Sequence, residues 1–90
     1  MDDSLRSLPN IGKVMEGKLN KIGIKSRGAF LRRDPYKVFD ELLKKVDPTL
    51  CRCALAAIVG AKEGVPWHAV TKHTAAEYQK RHKRHKWGRC

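Results

Sequence analysis

His82 and His85 stand three residues apart with Cys90 nearby, and Cys51 and Cys53 are separated by a single arginine. Imidazole and thiolate are the ligands of structural zinc, which normally takes four of them in close pairs such as C-x₂₋₄-C. On a helix the thiols of Cys51 and Cys53 point to nearly opposite sides, so no set of four assembles, and the expectation is no metal and no cofactor. One of these cysteines is expected in the core and the other partly exposed. Acid–base and nucleophilic chemistry is served no better. Asp34 and Asp47 each precede a proline and read as helix caps, Glu77 completes a capping box with Thr74, and Asp2 and Asp3 lie at the terminus. His68 and His73, near Thr71 and Thr74, form no recognised triad. No catalytic residue is expected; the residue types predict a protein that binds.

What it binds is suggested by charge. The 90 residues carry a net charge of +11, which attracts polyanions such as nucleic acid. Lys80, Arg81, Lys83, Arg84, Lys86 and Arg89 all fall in the last eleven positions. They surround a helix instead of lining one side and have no nearby carboxylates, so their mutual repulsion favours a polyanionic partner. The plainer reading is a solvated tail that keeps the protein soluble.

A second candidate is the turn Leu8-Pro9-Asn10-Ile11-Gly12, followed by a helix that ends in Leu19-Asn20-Lys21-Ile22-Gly23-Ile24. This pattern resembles a helix-hairpin-helix motif. A tight hairpin of that kind exposes backbone N–H groups where the helix dipole also favours an anion, and a phosphate docks there without any base being read. Asn10, Ile11, Gly12 and Lys13 are the candidate contacts, flanked by Lys18 and Lys21. Asparagine tolerates the left-handed conformation that such a turn needs. The structural alternative is a turn that merely packs two helices.

The elements that must position these groups are helices. Val14, Met15, Leu19 and Ile22 recur at helical spacing until Gly23 stops them, and Ser26 caps a short helix carrying Ala29, Phe30 and Leu31. Asp34-Pro35 starts a helix with Val38, Phe39, Leu42, Leu43 and Val46 on one stripe. Asp47-Pro48 is read as starting another, with Leu50, Ala54, Leu55, Ala57, Ile58 and Ala61. Gly64-Val65-Pro66 breaks the chain, and Thr71 or Thr74 caps a last helix whose apolar stripe ends at Tyr78. Beyond it the basic segment either extends the helix as a solvated rod or frays. Trp67 and Tyr78 are expected in the core, whereas Trp87 either stacks on a base, sits at a membrane interface, or packs back on the domain. The fold class is therefore all-α: a compact bundle of about five short helices with a helix-hairpin-helix-like N-terminal unit. Residues 1–78 form the helical domain and 79–90 a basic C-terminal arm. No apolar run approaches the length of a membrane span. Three is an odd number of cysteines, and Cys51 and Cys53 lie too close in sequence to staple a fold, so a disulfide framework is not expected. The expectation is a cytoplasmic protein that engages no membrane.

Leu5-x-x-Leu8-Pro9-Asn10-Ile11-Gly12, Lys18-Leu19-x-x-Ile22-Gly23-Ile24, Cys51 and Glu63-Gly64-x-x-Trp67 together resemble the C-terminal domain of TfoX/Sxy proteins over residues 5–78. The resemblance implies a helical module akin to helix-hairpin-helix folds and a link to the regulation of DNA-uptake competence in bacteria. The leading expectation is a nucleic-acid-binding or regulatory module that contacts duplex DNA, or else RNA, through phosphates. The alternative is an adaptor that binds a protein partner and touches no nucleic acid.

Overall fold

The structure, a computed structural model, describes residues 4–85 and 87. Its five α-helices are α1 (Lys13–Lys21), α2 (Arg27–Leu31), α3 (Pro35–Lys45), α4 (Arg52–Glu63) and α5 (Thr71–Arg81), with 3₁₀ turns at Leu5–Ser7 and Trp67–Ala69. No strand occurs among the described residues, in keeping with an all-α bundle.

Local chemistry explains most of the boundaries. Ser26 Oγ accepts from the Ala29 N–H at 3.2 Å, and Asp34 Oδ1 accepts from the Tyr36 N–H at 2.9 Å with Pro35 as the first helical residue. Gly23 after α1 and Gly64 after α4 take φ of 85° and 76°, the left-handed region that side chains avoid.

Two expected starts are corrected. Asp47 does not open α4, because its carboxylate is already occupied: Oδ1 accepts from the backbone N–H and the hydroxyl of Thr49, and Oδ2 pairs with Lys18. The resulting turn drops Leu50 into the core, and α4 begins only after Cys51. Thr74 does not cap α5. It lies inside the helix with a fully buried side chain whose hydroxyl donates to the Thr71 carbonyl, while Val70 occupies the capping position and Glu77 sits in mid-helix. The helix starts early because the Thr71 hydroxyl donates to the Trp67 carbonyl and so continues the preceding 3₁₀ turn.

Helix α4 is the centre of the molecule, packing on α3, α5 and the Trp67–Ala69 turn. Leu55, Ala56, Ile58, Val59, Gly60 and Ala61 are all buried, which is more than the one stripe predicted. Each large aliphatic side chain so buried stabilises the fold by roughly 1.5–3 kcal/mol. Gly60 is the closest approach: a Cβ there would lie 2.7 Å from both Asn10 Nδ2 and the Val65 carbonyl. Leu5, Leu8, Ile11, Leu19, Ile24, Phe30, Val38, Phe39, Leu42 and, as expected, Tyr78 join α4 in the core. Val14, expected on the apolar stripe of α1, instead faces solvent, as does much of Trp67.

The chain turns back after α5. Gln79 Nε2 donates to the carbonyls of His82, Lys83 and His85 at 3.1, 3.1 and 3.3 Å, gathering the end of the helix into a turn. Trp87 then packs against the domain, its ring centroid 5.4 Å from that of Tyr78 and 6.0 Å from that of Phe39. Of the readings left open for Trp87, the structure adopts this one. Cys51 and Cys53 are both half-buried, so neither is the core residue expected. Cys51 is disulfide-bonded, against the expectation that the fold uses no disulfide, and Cys53 is not. No helix among the described residues is long and apolar enough to cross a membrane.

Candidate nucleic-acid interface

The hairpin forms as its residue types suggest, with Asn10 at φ 67°. Its side chain, however, faces inward. Nδ2 donates to the Val65 carbonyl at 2.9 Å and more weakly to that of Ala57 at 3.5 Å, while Oδ1 accepts from the Trp67 N–H at 3.0 Å. Asn10 therefore clamps the hairpin to the end of α4, a task that glycine could not perform. Ile11 is buried in the core. Of the candidate contacts Asn10 to Lys13, Gly12 and Lys13 are the exposed ones, Gly12 as the N-cap of α1 with no capping side chain and open space around it. The N–H groups of the first turn of α1 are thus left to solvent.

The flanking lysines differ. Lys18 Nζ lies 2.9 Å from Asp47 Oδ2, tying α1 to the loop before α4, so its charge is largely compensated. Lys13 and Lys21 are exposed and have no ion-pair partner among the described residues. Against the expectation that the basic segment has no carboxylate nearby, Arg81 pairs with Glu77 at 3.5 Å, one helical turn earlier, and its guanidinium lies 4.6 Å from the centre of the Tyr36 ring. Lys80, Lys83 and Arg84 are exposed and unpaired among the described residues, and Lys86 and Arg89 lie outside them.

The structure also assembles a cluster that no spacing in the sequence announces. Tyr78 OH donates to Asp40 Oδ1 at 2.5 Å, His82 Nε2 lies 3.6 Å from the same oxygen, and the His82 ring leans on Tyr78 at 4.3 Å. His85 fits between Tyr78 and Trp87 with centroid distances of 4.9 and 4.6 Å. Asp40, Tyr78, His82 and His85, with Leu43, Lys44 and Pro48, line a cleft of about 370 Å³. Burial, reinforced by the bond to Asp40, pushes the Tyr78 phenol well above its ordinary value, so it stays a donor. Burial and the neighbouring His82 hold His85 below the usual imidazole value, and its Nε2 has no hydrogen-bond partner among the described residues. Among the described residues no three histidine, cysteine or acidic side chains are arranged to hold a metal ion. The signal missed in the sequence was Asp40, which reads as a polar position of α3 and meets its partners only through the α3 and α5 packing.

A small all-α domain with a central buried helix, entered through a clamped hairpin and edged with unpaired cations, is the class that these features define. The chain belongs to the TfoX C-terminal domain family, whose family model matches residues 1–81. It is similar to an uncharacterized protein from Listeria monocytogenes, whose triclinic crystal structure superposes with a TM-score of 0.75 at 31% identity, over 91% of this chain and 97% of that one. No curated protein matches the chain.

Proposed function

We propose that this protein is a non-enzymatic, cytoplasmic regulatory module that binds nucleic acid, duplex DNA above all, through the phosphate backbone and in the service of competence regulation. The observation that carries this reading is the state of its charges. The acids are largely engaged: Asp34 caps α3, and Asp47, Glu41 and Glu77 pair with Lys18, Arg33 and Arg81. Lys13, Lys21, Lys80, Lys83 and Arg84 remain exposed with no ion-pair partner among the described residues. Unpaired cations on a small domain release condensed counterions from a polyanion, the main source of sequence-independent affinity. Lys13 also stands where the first-turn N–H groups of α1 favour an anion.

The test is fluorescence anisotropy with labelled duplex DNA across a range of salt. If five phosphates are neutralised, log K falls against log salt with a slope of roughly −4 to −5. Replacing Lys80, Lys83 and Arg84 together by Gln makes that slope shallower by about 3 while leaving the melting temperature in place. Absence of binding at physiological salt rejects the reading and favours a protein-binding adaptor.

A further inference from the structure

The sequence placed Trp67 in the core, yet the structure leaves it 42% exposed in the short turn between α4 and α5. Its backbone is fixed on both sides. The N–H donates to Asn10 Oδ1 at 3.0 Å, and the carbonyl accepts from the Thr71 hydroxyl at 2.9 Å. Among the aromatic rings of the described residues the indole meets the edge of His68, at 5.8 Å between centroids, and its N–H has no hydrogen-bond partner among the described residues. The other tryptophan behaves in the opposite way: Trp87 is packed on Phe39 and Tyr78 and donates to Gln79 Oε1 at 3.0 Å. A tryptophan with a pinned backbone and a partly exposed side chain is thus held beside the hairpin by Asn10. Val14, four residues beyond Asn10, is 74% exposed, and the exposed Lys13 and Lys72 lie next to it and at the start of α5.

We propose that Trp67 is a base-stacking platform, through which the domain also takes strands with unpaired bases, beside the phosphate contacts it makes with a duplex. This inference rests on the nucleic-acid reading above and adds to it a second class of ligand. A partly exposed ring on a domain of net charge +11 matches a strand whose phosphates are negative and whose bases offer π-faces. An intact duplex hides those faces in its stack, so only an unpaired base can use the ring. A protein partner fits less well, since a single partly exposed indole on a strongly basic domain is a small apolar surface.

Titration of the full chain with oligothymidylate, followed by intrinsic fluorescence, tests the idea, with a duplex of equal length alongside. Quenching is expected in the wild type and in Trp87→Phe, and its loss is expected in Trp67→Phe. Trp67→Ala weakens oligothymidylate binding at least about fivefold and leaves duplex binding unchanged. Oligothymidylate binding that neither quenches Trp67 nor weakens in Trp67→Ala overturns the inference while the nucleic-acid reading stands. If neither polynucleotide binds, the nucleic-acid reading itself falls. Self-association in sedimentation that disappears in Trp67→Ala, with oligothymidylate affinity unchanged, assigns the ring to a protein contact and also overturns the inference.

Discussion

Asn10 Nδ2 donates to the carbonyl of Val65 at 2.9 Å, joining residues that lie 55 positions apart in the chain. The same side chain accepts from the Trp67 N–H, so one amide ties the N-terminal hairpin to the end of α4 and to the turn that follows it. Gly60 makes the approach feasible, since any Cβ there would strike both Asn10 and Val65.

Replacing Asn10 separates two contributions. Asn10→Gly keeps the left-handed backbone but strands the Val65 carbonyl and the Trp67 N–H, which costs roughly 1–3 kcal/mol. Asn10→Ala adds the strain of a Cβ at positive φ, for a total of roughly 2–4 kcal/mol. Urea unfolding is expected to rank the proteins Asn, Gly, Ala in falling stability, and an alanine variant as stable as the wild type rules the clamp out.

Gly12 is a probe of the hairpin that spares the fold. Its φ of −100° suits any residue, and nothing lies within 4 Å of the Cβ it would gain. Gly12→Val therefore changes the melting temperature little but crowds a phosphate approaching the first turn of α1. The expected result is a duplex DNA affinity lowered about three- to tenfold, equivalent to about 0.6–1.4 kcal/mol. Unchanged affinity removes the hairpin from the interface and leaves the arm.

Acid will weaken the loop before α4. Hydrogen bonds from the Thr49 hydroxyl, from Lys18 and from the Thr49 N–H hold the Asp47 carboxyl well below its ordinary value. A depressed carboxyl contributes stability that is present above the unfolded value of about 3.9 and is lost as the pH falls below it. In Asp47→Asn this part of the acid dependence is absent, so the acid limb of a stability–pH curve becomes shallower. An acid limb identical to that of the wild type contradicts the assignment.

The turn after α5 carries a second pH dependence of its own. His85 is held below the usual imidazole value first by burial and then by His82, with the Asp40 carboxylate opposing them and Lys44 also lining the cleft. The neutral ring is the one that fits between Tyr78 and Trp87. The unfolded chain takes its proton first, at about pH 6.5, so the packing of this turn is complete above that value and is lost as the pH falls through the lower folded value. In a Trp67→Phe background, Trp87 fluorescence is expected to shift as the pH falls below about 6.5. His85→Phe keeps an aromatic ring that cannot titrate and should abolish the transition; an unaltered midpoint in that variant assigns it to another histidine.

Much of this fold was legible in local chemistry. Ser26, Asp34, Gly23 and Gly64 act within one helical turn of their own position, so their residue types were enough to mark where α2 and α3 start and where α1 and α4 stop. The left-handed turn at Asn10 and the surplus of positive charge are equally local or additive properties, and both could be taken from the sequence. Asp47 and Thr74 carry similar signals and were misread, because each side chain had partners available that competed with capping: Thr49 and Lys18 for Asp47, and the buried face of α5 for Thr74. What only the tertiary structure decided is where polar and aromatic groups meet across the bundle. Asn10 points inward because Val65 and Trp67 are there to receive it. Trp67 stays open because the Trp67–Ala69 turn is pinned through its backbone, and Trp87 is covered because Gln79 bends the chain back onto Phe39 and Tyr78. Such contacts join residues far apart in sequence, and periodicity reports which face of a helix is apolar without reporting which neighbour that face will find.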